Sequence, residues 1–233
     1  MPRLIHYLAP KYTAIPEDLA IAAAPACQSE LEQANLIRAG FRLPGTGVAY
    51  MVDAVRALRL LRGAHTYLEI GTEDKGNLAY VSTLLASDAM IIDIDMECRK
   101  KQEEKLRATI PATQTIHFVT GSSCDPASIE TVRSILGARQ LDAVFIDGNH
   151  SRNFVLADFN NYCQFLKKDG FVLIHDVYWE GDSSTFGSVP ALDWIDRTYP
   201  VYVVSENRAI HRYLPFQSDS VTWGCFGITR LSW

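Results

Sequence analysis

Between residues 66 and 174 the chain alternates short apolar runs with longer segments of helical spacing, and this alternation constrains the fold most. Apolar runs at Thr66–Ile70, Thr115–Thr120 and Leu141–Ile146 are typical of buried strands, whereas Pro126–Leu136 carries a helical pattern. Parallel strands need a crossover of a dozen or more residues between them, and such helical segments supply it. The sequence therefore predicts an α/β fold with a doubly wound, mostly parallel sheet.

The two ends of the chain differ from this central repeat. Residues 1–45 are rich in proline and hold two helical patches, which predicts an N-terminal helical cap or lid ahead of a main domain over 46–233. Apolar runs near 201–205 and 222–229 have no convincing helix between them. We therefore expect these last two strands to form an antiparallel hairpin at one edge of the sheet.

Composition and charge exclude several classes of function. The net charge is −5 and no Lys/Arg cluster is present, which argues against binding to nucleic acid through its phosphates. No apolar run reaches the roughly 18 residues of a membrane span, and the N-terminus lacks the apolar core of a signal peptide. The five cysteines are widely spaced without a CxxC pair. These features predict a cytoplasmic protein that binds neither nucleic acid nor a membrane, and they leave a monomer and a homo-oligomer both open.

In an open α/β sheet, ligands bind beyond the carboxyl ends of the strands, so the residues there are the candidate site. The first such turn contains Glu69, Gly71 and Gly76. Glycine allows a ligand to approach the backbone closely, and Glu69 would repel a pyrophosphate but attract an ammonium group. The turn is not a GxGxxG motif. A tight turn without a ligand is the alternative interpretation.

The second and third strands also end in polar residues. Asp93 lies about 20 residues after the glycine turn, where a carboxylate can accept hydrogen bonds from ribose hydroxyls, and Asp95 suits a helix N-cap better. Ser123 and Cys124 follow the third strand, and their small polar side chains are suited to contact the edge of a flat heterocycle. Their alternative is a capping turn, since Asp125 precedes a proline at the start of a helix.

The sharpest pattern follows the fourth and fifth strands. Asp147 and, three residues later, His150 follow one strand, and His175 and Asp176 follow the next. Carboxylates and imidazoles that converge in this way can bind a divalent cation and place a general base beside it. Capping and hydrogen bonding within the core are the alternative roles for each residue taken singly.

These stretches resemble a known family. The segments YLEIGTEDKGN, MIIDIDMECRK, FVTGSSCD and VFIDGNHSRNFVLADFNNYCQFLKKDGFVLIHDV resemble the class I S-adenosylmethionine-dependent methyltransferases, in particular their small-molecule O-methyltransferase branch, related to catechol O-methyltransferase. The resemblance implies a Rossmann-like fold over roughly residues 46–231. It also implies that S-adenosylmethionine is bound by Glu69, Gly71, Gly76, Asp93, Ser123, Cys124 and Asp147.

The same resemblance implies roles in catalysis and leaves the need for a divalent cation open. His150 becomes the candidate base, assisted by Asp147, and Asp147, His175 and Asp176 become candidate metal ligands. The chain departs from the family pattern at three positions. Lys75 stands where glycine is usual, His150 where a lysine often acts, and His175 where the metal-dependent relatives carry a carboxylate. The histidine at 175 favours ions other than Mg²⁺.

The expected reaction is methyl transfer to a hydroxyl group of a sugar, a phenol or a secondary metabolite. The N-terminal segment and the loop at 179–187 are expected to shape the acceptor pocket, with the aromatic residues Tyr7, Tyr12, Phe41 and Tyr50 lining a wall or packing as ordinary core. Two other classes remain open, namely a catalytically idle S-adenosylmethionine-binding or scaffold protein and a NAD-type oxidoreductase on a similar sheet. The missing GxGxxG motif and the acidic Glu69 count against the second.

Overall fold

The strands of the described residues form one mixed sheet. The computed structural model describes residues 17–41, 51–177, 188–205, 208–213 and 226–230. Within these ranges eight strands lie in the order β3-β2-β1-β4-β5-β8-β6-β7. The strands are β1 Thr66–Ile70, β2 Met90–Asp95, β3 Thr115–Thr120, β4 Leu141–Ile146, β5 Leu166–Ile174, β6 Val201–Ser205, β7 Arg208–Arg212 and β8 Phe226–Arg230.

The helices pack on both faces of this sheet. One hydrophobic cluster includes residues from α1 to α5, and the opposite cluster includes residues from α6 to α8. Side chains of β1 alternate between them, with Tyr67 in the first and Leu68 in the second, because successive residues of a strand face opposite sides. The helices are α1 Ala20–Ala23, α2 Gln28–Phe41, α3 Met51–Leu58, α4 Gly76–Ser82, α5 Lys100–Thr109, α6 Pro126–Leu136, α7 Arg152–Cys163 and α8 Val189–Asp196.

The strand order reverses between β1 and β4, and this switch point positions the candidate site. Strand β1 pairs in parallel with β2 on one side and with β4 on the other. The turns after β1 and β4 touch, since a Cβ atom on Gly71 would lie 2.4 Å from the carbonyl oxygen of Asp147. Gly71 also has φ +85°, a conformation that favours glycine. The predicted doubly wound fold, mostly parallel with an antiparallel edge, is confirmed.

The C-terminal edge contains one more strand than the sequence predicts. Strands β6 and β8 pair antiparallel, as expected for the last two strands. However, β8 also pairs with β5 and so lies inside the sheet, and the additional strand β7 pairs with β6 at the edge. The segment of β7 reads RAIHR, and its charged residues hide the strand signal, as is common for edge strands.

The N-terminal helices share a core with the sheet. Leu19, Ala22 and Phe41 belong to the same cluster as the buried residues of α3 and β1. Phe41 is therefore ordinary core, the alternative that the sequence left open. Tyr7, Tyr12, Tyr50 and the loop at 179–187 lie outside the described residues, and the boundary at residue 45 stays a prediction. No helix within the described ranges is long and apolar enough to cross a membrane.

Candidate active site

The turn after β1 surrounds a fully buried carboxylate. Glu69 accepts hydrogen bonds from the hydroxyl of Tyr67 at 2.7 Å and from the amide Nδ2 of Asn77 at 2.8 Å. Burial raises the pKa of Glu69 to about 8, although both hydrogen bonds act in the opposite direction. The Oδ1 atom of Asn77 is also buried and has no hydrogen-bond partner in the described part of the chain. The turn therefore offers two buried acceptor groups that suit a hydrogen-bond-donating ligand, and a cationic ligand group would favour the ionised form of Glu69.

Gly76, predicted to bind the cofactor, has a packing role in this turn. It begins α4, and its N–H donates to Oδ1 of Asp74 at 2.8 Å. A Cβ atom on Gly76 would lie 2.9 Å from that oxygen and 3.4 Å from the backbone of Arg38 in α2. Close packing between the turn and α2 thus explains the glycine. A role of Gly76 in cofactor binding stays a prediction.

Lys75, which replaces the usual glycine of this turn, binds the carboxylates at the end of β2. Its fully buried ammonium lies 2.9 Å from Oδ2 of Asp93 and 3.0 Å from Oδ2 of Asp95. Thr72 donates to the other oxygen of Asp93 at 2.6 Å. Burial would lower the pKa of Lys75, but the two carboxylates raise it. Lys75 adopts φ +66°, so the turn keeps a left-handed residue without glycine.

This network changes the interpretation of the two aspartates. Both oxygens of Asp93 bond within the protein, and its side chain is only 2% exposed. The side chain of Asp95, the last residue of β2, is 14% exposed. The expectation that Asp95 caps the next helix is wrong, because α5 begins at Lys100 with Arg99 as its N-cap. The assignment of Asp93 to the ribose stays a prediction, and Asp95 is the more accessible carboxylate.

The turn after β3 is held from two directions. Asp125 accepts a hydrogen bond from the N–H of Ala127 at 2.9 Å and caps α6, which confirms the predicted capping role. The carbonyl oxygen of Ser123 accepts from the hydroxyl of Tyr162 in α7 at 2.7 Å. Ser123 and Cys124 are half-buried at the same carboxyl edge of the sheet as Asp95. This position is compatible with their predicted contact with a heterocycle.

The predicted cluster after β4 and β5 does converge. Nδ1 of His175 lies 2.8 Å from Oδ1 of Asp147, and Nε2 of His150 lies 3.3 Å from the same oxygen. Nδ1 of His150 also lies 3.6 Å from Oδ2 of Asp176. Burial opposes ionisation of Asp147, but the two imidazoles lower its pKa to about 2. Burial would also lower the pKa of His175, yet Asp147 and Asp176 raise it overall.

Metal-ligating atoms are close together in part of this cluster. One atom each from Asp147, His150 and His175 lie within 4.8 Å of one another, and among the described residues this is the group with metal-like geometry. Asp176, predicted as a ligand, is outside that group although it faces both imidazoles. The donor set is thus two imidazoles and one carboxylate.

The chain as a whole can now be compared with known proteins. Residues 63–230 match the model of the Rhamnosyl O-methyltransferase/CmcI family. The chain belongs to this family. Both the family predicted from the sequence and its enzyme class, an S-adenosylmethionine-dependent O-methyltransferase, are confirmed.

Individual proteins are similar to this chain at 29% identity or less. The uncharacterised protein R132 of Acanthamoeba polyphaga mimivirus is 29% identical over 117 residues, 48% of this chain and 51% of that protein, so the match spans about half of this curated relative. An O-methyltransferase from Bacillus cereus, in complex with SAH, has a TM-score of 0.59 at 18% identity, covering 88% of this chain and 92% of that chain.

The MycE methyltransferase from the mycinamycin biosynthetic pathway, in complex with Mg, SAH and mycinamycin VI, has a TM-score of 0.53 at 17% identity. That alignment covers 82% of this chain and 57% of MycE. At 18% and 17% identity, the Bacillus cereus and MycE structures show that they share the fold of this chain.

Several residues of the site were missed or misread from the sequence. Asn77 lies 8 residues after Glu69, beyond the turn that follows β1. Nothing in the sequence shows that its amide reaches back to β1. Asp95 carries a readable signal, because Asp93 and Asp95 alternate and so share one face of a strand, with Asp95 nearer the ligand edge. Met96 is largely exposed directly after it. Methionine is a flexible apolar side chain that can pack against an aromatic ring.

Proposed function

We propose that this chain transfers a methyl group from S-adenosylmethionine to a hydroxyl group of a small molecule, with a sugar hydroxyl as the first candidate acceptor. The observation that carries this proposal is the convergence of Asp147, His150 and His175 at the switch point, beside the pocket of Glu69 and Asn77. The family's description, which names a rhamnosyl O-methyltransferase, supports the sugar, and the MycE complex with mycinamycin VI supports a small-molecule acceptor by analogy of fold.

The pocket fits S-adenosylmethionine in its charges and its acceptors. Glu69 and the unpartnered Oδ1 of Asn77 would hold the ammonium of the amino-acid end. Asp95, with Asp93 behind it, would accept the ribose hydroxyls. Met96 would cover one face of the adenine. Ser123 and Cys124 would meet its edge, and Gly71 allows the close approach of the turns. When bound, S-adenosylmethionine supplies an activated methyl group.

His150 is the proposed base because of its position between two carboxylates. With Nε2–H donating to Oδ1 of Asp147, Nδ1 is the nitrogen that would take the proton of the acceptor hydroxyl. The imidazolium that forms would then face Oδ2 of Asp176, 3.6 Å away, which stabilises the new charge. His150 is also the more exposed imidazole, at 23% against 12% for His175. His175 therefore serves to orient Asp147.

The donor set does not fit Mg²⁺. Magnesium prefers near-octahedral oxygen ligands, whereas two imidazoles and one carboxylate suit Zn²⁺, Fe²⁺ or Ni²⁺ better. In addition, Oδ1 of Asp147 and Nδ1 of His175, two of the would-be ligand atoms, contact each other directly in an ion pair at 2.8 Å. We therefore assign no step of the reaction to a metal ion. Proximity and orientation of the acceptor, together with the base, account for the proposed acceleration.

The wider setting of the enzyme follows from the same features. Residues 1–45 are proposed to cover the acceptor side of the site as a cap. Cys27, Cys98, Cys124 and Cys163 are free thiols, which suits a reducing compartment such as the cytoplasm. The net charge of −5 suits a small neutral acceptor and not a nucleic acid. The number of subunits in solution is left to measurement.

Calorimetry with S-adenosylhomocysteine tests the cofactor, and NAD⁺ serves as the comparison ligand. We expect a micromolar dissociation constant for S-adenosylhomocysteine, about −8 kcal/mol, and no binding of NAD⁺. Transfer of a radiolabelled methyl group to a panel of rhamnosides, other glycosides and phenols then tests the acceptor. Tight binding without transfer to any acceptor would favour an idle cofactor-binding protein. Binding of NAD⁺ in place of S-adenosylhomocysteine would favour an oxidoreductase.

A further inference from the structure

Helix α7 carries a buried carboxylate that the proposed reaction does not use. The side chain of Asp158 is almost entirely buried, at 1% exposure. Sγ of Cys124 donates to its Oδ1 over 3.9 Å, and the neighbouring Ser123 is close enough to lower the pKa of the carboxylate. Both of these neighbours belong to the turn after β3. The carboxylate therefore bonds the turn that the proposed function assigns to the adenine.

A second residue of α7 holds the same turn. Tyr162 lies four residues after Asp158, so both side chains project from one face of the helix. Its hydroxyl donates to the carbonyl oxygen of Ser123 at 2.7 Å. The turn is thus held by Asp158 through the thiol of Cys124 and by Tyr162 through the main chain of Ser123. Two contacts on neighbouring residues determine where the turn presents its remaining polar groups.

Asp158 also lies beside the turn after β4. A Cβ atom on Gly148 would come within 4.0 Å of Oδ2 of Asp158. The carboxylate is therefore placed between the turn after β3 and the turn that carries Asp147 and His150. A group in this position can set the distance between the adenine side and the reacting side of the cofactor pocket.

Stability alone does not explain a carboxylate in this position. Burial raises the pKa of Asp158 to about 6, against the effect of the hydrogen bonds from Ser123 and Cys124. Desolvation thus outweighs the bonding that the group receives. When a buried charge and its polar partners are replaced together by apolar side chains of similar size, the effect on stability is often neutral or favourable. The contribution of the Asp158 carboxylate is therefore its contact with the turn after β3.

We propose that Asp158 is a positioning residue for the cofactor: it fixes Ser123 and Cys124 so that their turn recognises the adenine edge. This inference rests on the proposed function, since it concerns the same pocket. Asp158 acts through the turn and not on the reacting atoms. Its loss is therefore expected to weaken binding of any ligand that contains adenosine, and to leave the rate constant at saturating cofactor unchanged.

The test compares three variants of the full chain with the wild type. Asp158→Leu removes the acceptor, Asp158→Asn keeps a carbonyl oxygen for Ser123, and Cys163→Ala alters a buried residue of the same helix that does not contact the turn. Calorimetry measures the dissociation constants of S-adenosylhomocysteine and of adenosine, and methyl transfer gives kcat at saturating S-adenosylmethionine. Thermal unfolding reports the folding of each variant.

We expect Asp158→Leu to weaken both ligands by the same factor, about tenfold, the effect of one lost hydrogen-bonding contact. Asp158→Asn should recover most of this affinity, and Cys163→Ala should bind as the wild type does. All three should keep kcat within about twofold. A purely structural role would lower the melting temperature without this recovery by asparagine.

Two results would overturn the inference. One is a folded Asp158→Leu protein with wild-type affinity, and the other is a loss of S-adenosylhomocysteine affinity without any loss for adenosine. If the leucine variant does not fold, Asp158→Ala decides the question, because it removes the carboxylate and keeps Ser123 and Cys124, the proposed adenine contacts. A folded Asp158→Ala protein should bind both ligands more weakly by the same factor, and wild-type affinity for both would overturn the inference. Failure of the wild type to bind S-adenosylhomocysteine would instead count against the proposed function.

Discussion

Nδ1 of His175 lies 2.8 Å from Oδ1 of Asp147, and this contact joins the ends of two adjacent parallel strands. Burial opposes ionisation of Asp147, but this imidazole and a second imidazole together lower its pKa to about 2, so the carboxylate is ionised. That second imidazole is His150, 3.3 Å from the same oxygen. Asp147 therefore organises both histidines of the site, and the predictions about catalysis start from it.

Replacement of His150 should affect turnover and not cofactor binding. We expect His150→Ala to lower kcat by about 10²-fold or more, since it removes the proposed general base. The dissociation constant of S-adenosylhomocysteine should change little. His65→Ala is the matched control, because His65 is exposed and pairs with Asp88 far from the site. Wild-type kcat in His150→Ala would remove His150 from the mechanism.

Removal of divalent cations should leave the enzyme active. The ligand set of two imidazoles and one carboxylate does not suit Mg²⁺, and because Asp147 and His175 contact each other directly, we assign no step to the softer divalent ions either. After dialysis against EDTA, we expect the rate of methyl transfer to stay within about twofold, and added Mg²⁺ to restore nothing further. Metal analysis of the dialysed protein provides the control. Loss of activity that Mg²⁺ recovers would show that the cluster works as a magnesium site.

Replacement of the two aspartates of β2 should have different effects. The loss of Asp95 should weaken cofactor binding, and the loss of Asp93 should weaken binding and lower stability as well. Asp95→Ala should weaken S-adenosylhomocysteine by about 1.5–3 kcal/mol, the effect of a lost charge-assisted hydrogen bond. Asp93→Ala should also weaken binding, but it leaves the buried Lys75 with one carboxylate. We therefore expect it to cost about 3 kcal/mol of the free energy of unfolding as well.

Calorimetry and urea denaturation of both variants provide the measurements for this comparison. Unchanged affinity in Asp95→Ala would exclude that residue as the ribose acceptor. Unchanged affinity in Asp93→Ala would exclude the assignment of Asp93, made from the sequence, as acceptor of the ribose hydroxyls. Asp88→Ala is a suitable control, since this aspartate is exposed and distant from the turn.

The raised pKa of Glu69 should appear in the pH dependence of stability. In the unfolded chain a glutamate loses its proton near pH 4.5, whereas in the folded protein burial keeps the proton on Glu69 up to about pH 8. The folded state thus binds more protons between these values, and stability falls as the pH rises through this range.

Glu69→Gln removes this titration. Relative to the wild type, we expect the free energy of unfolding of Glu69→Gln to rise by about 2 kcal/mol or more between pH 5 and pH 8. Urea denaturation at the two pH values measures it. Glu104→Gln, at an exposed glutamate of α5, should follow the wild type. Parallel curves for Glu69→Gln and the wild type would contradict the raised pKa.

Arg59 should hold the N-terminal helices onto the sheet. Its buried guanidinium donates to the carbonyl oxygens of Ala24 and Pro25 and pairs with Glu30. Arg62 pairs with the same glutamate, but its side chain is 51% exposed. We expect Arg59→Met to lower the free energy of unfolding by about 2–3 kcal/mol and Arg62→Met by less than about 1 kcal/mol.

Urea denaturation of the two arginine variants is the measurement, with limited proteolysis to locate any opening. Equal effects of the two substitutions would show that the exposed pair matters as much as the buried one. Early cleavage within residues 17–41 of Arg59→Met would be consistent with the predicted separate cap.

The sequence by itself determined the fold class, because strand and helix periodicities can be read locally. Thr66–Ile70, Thr115–Thr120 and Leu141–Ile146 are strands at the predicted bounds, and Pro126–Leu136 is a helix with the predicted cap. The carboxyl ends of parallel strands share one edge, so the meeting of Asp147 with His175 also followed from their positions at strand ends.

Only the tertiary structure decided which atoms are paired and which are available. Lys75 and Thr72 each bond one oxygen of Asp93, Asn77 reaches back to Glu69, and Asp158 reaches across to Cys124. Each contact joins residues that are 8 to 34 positions apart, between elements whose approach depends on side-chain packing. The pKa values of Glu69 and Asp147 differ for the same reason: both carboxylates are buried, and only the second has imidazoles beside it.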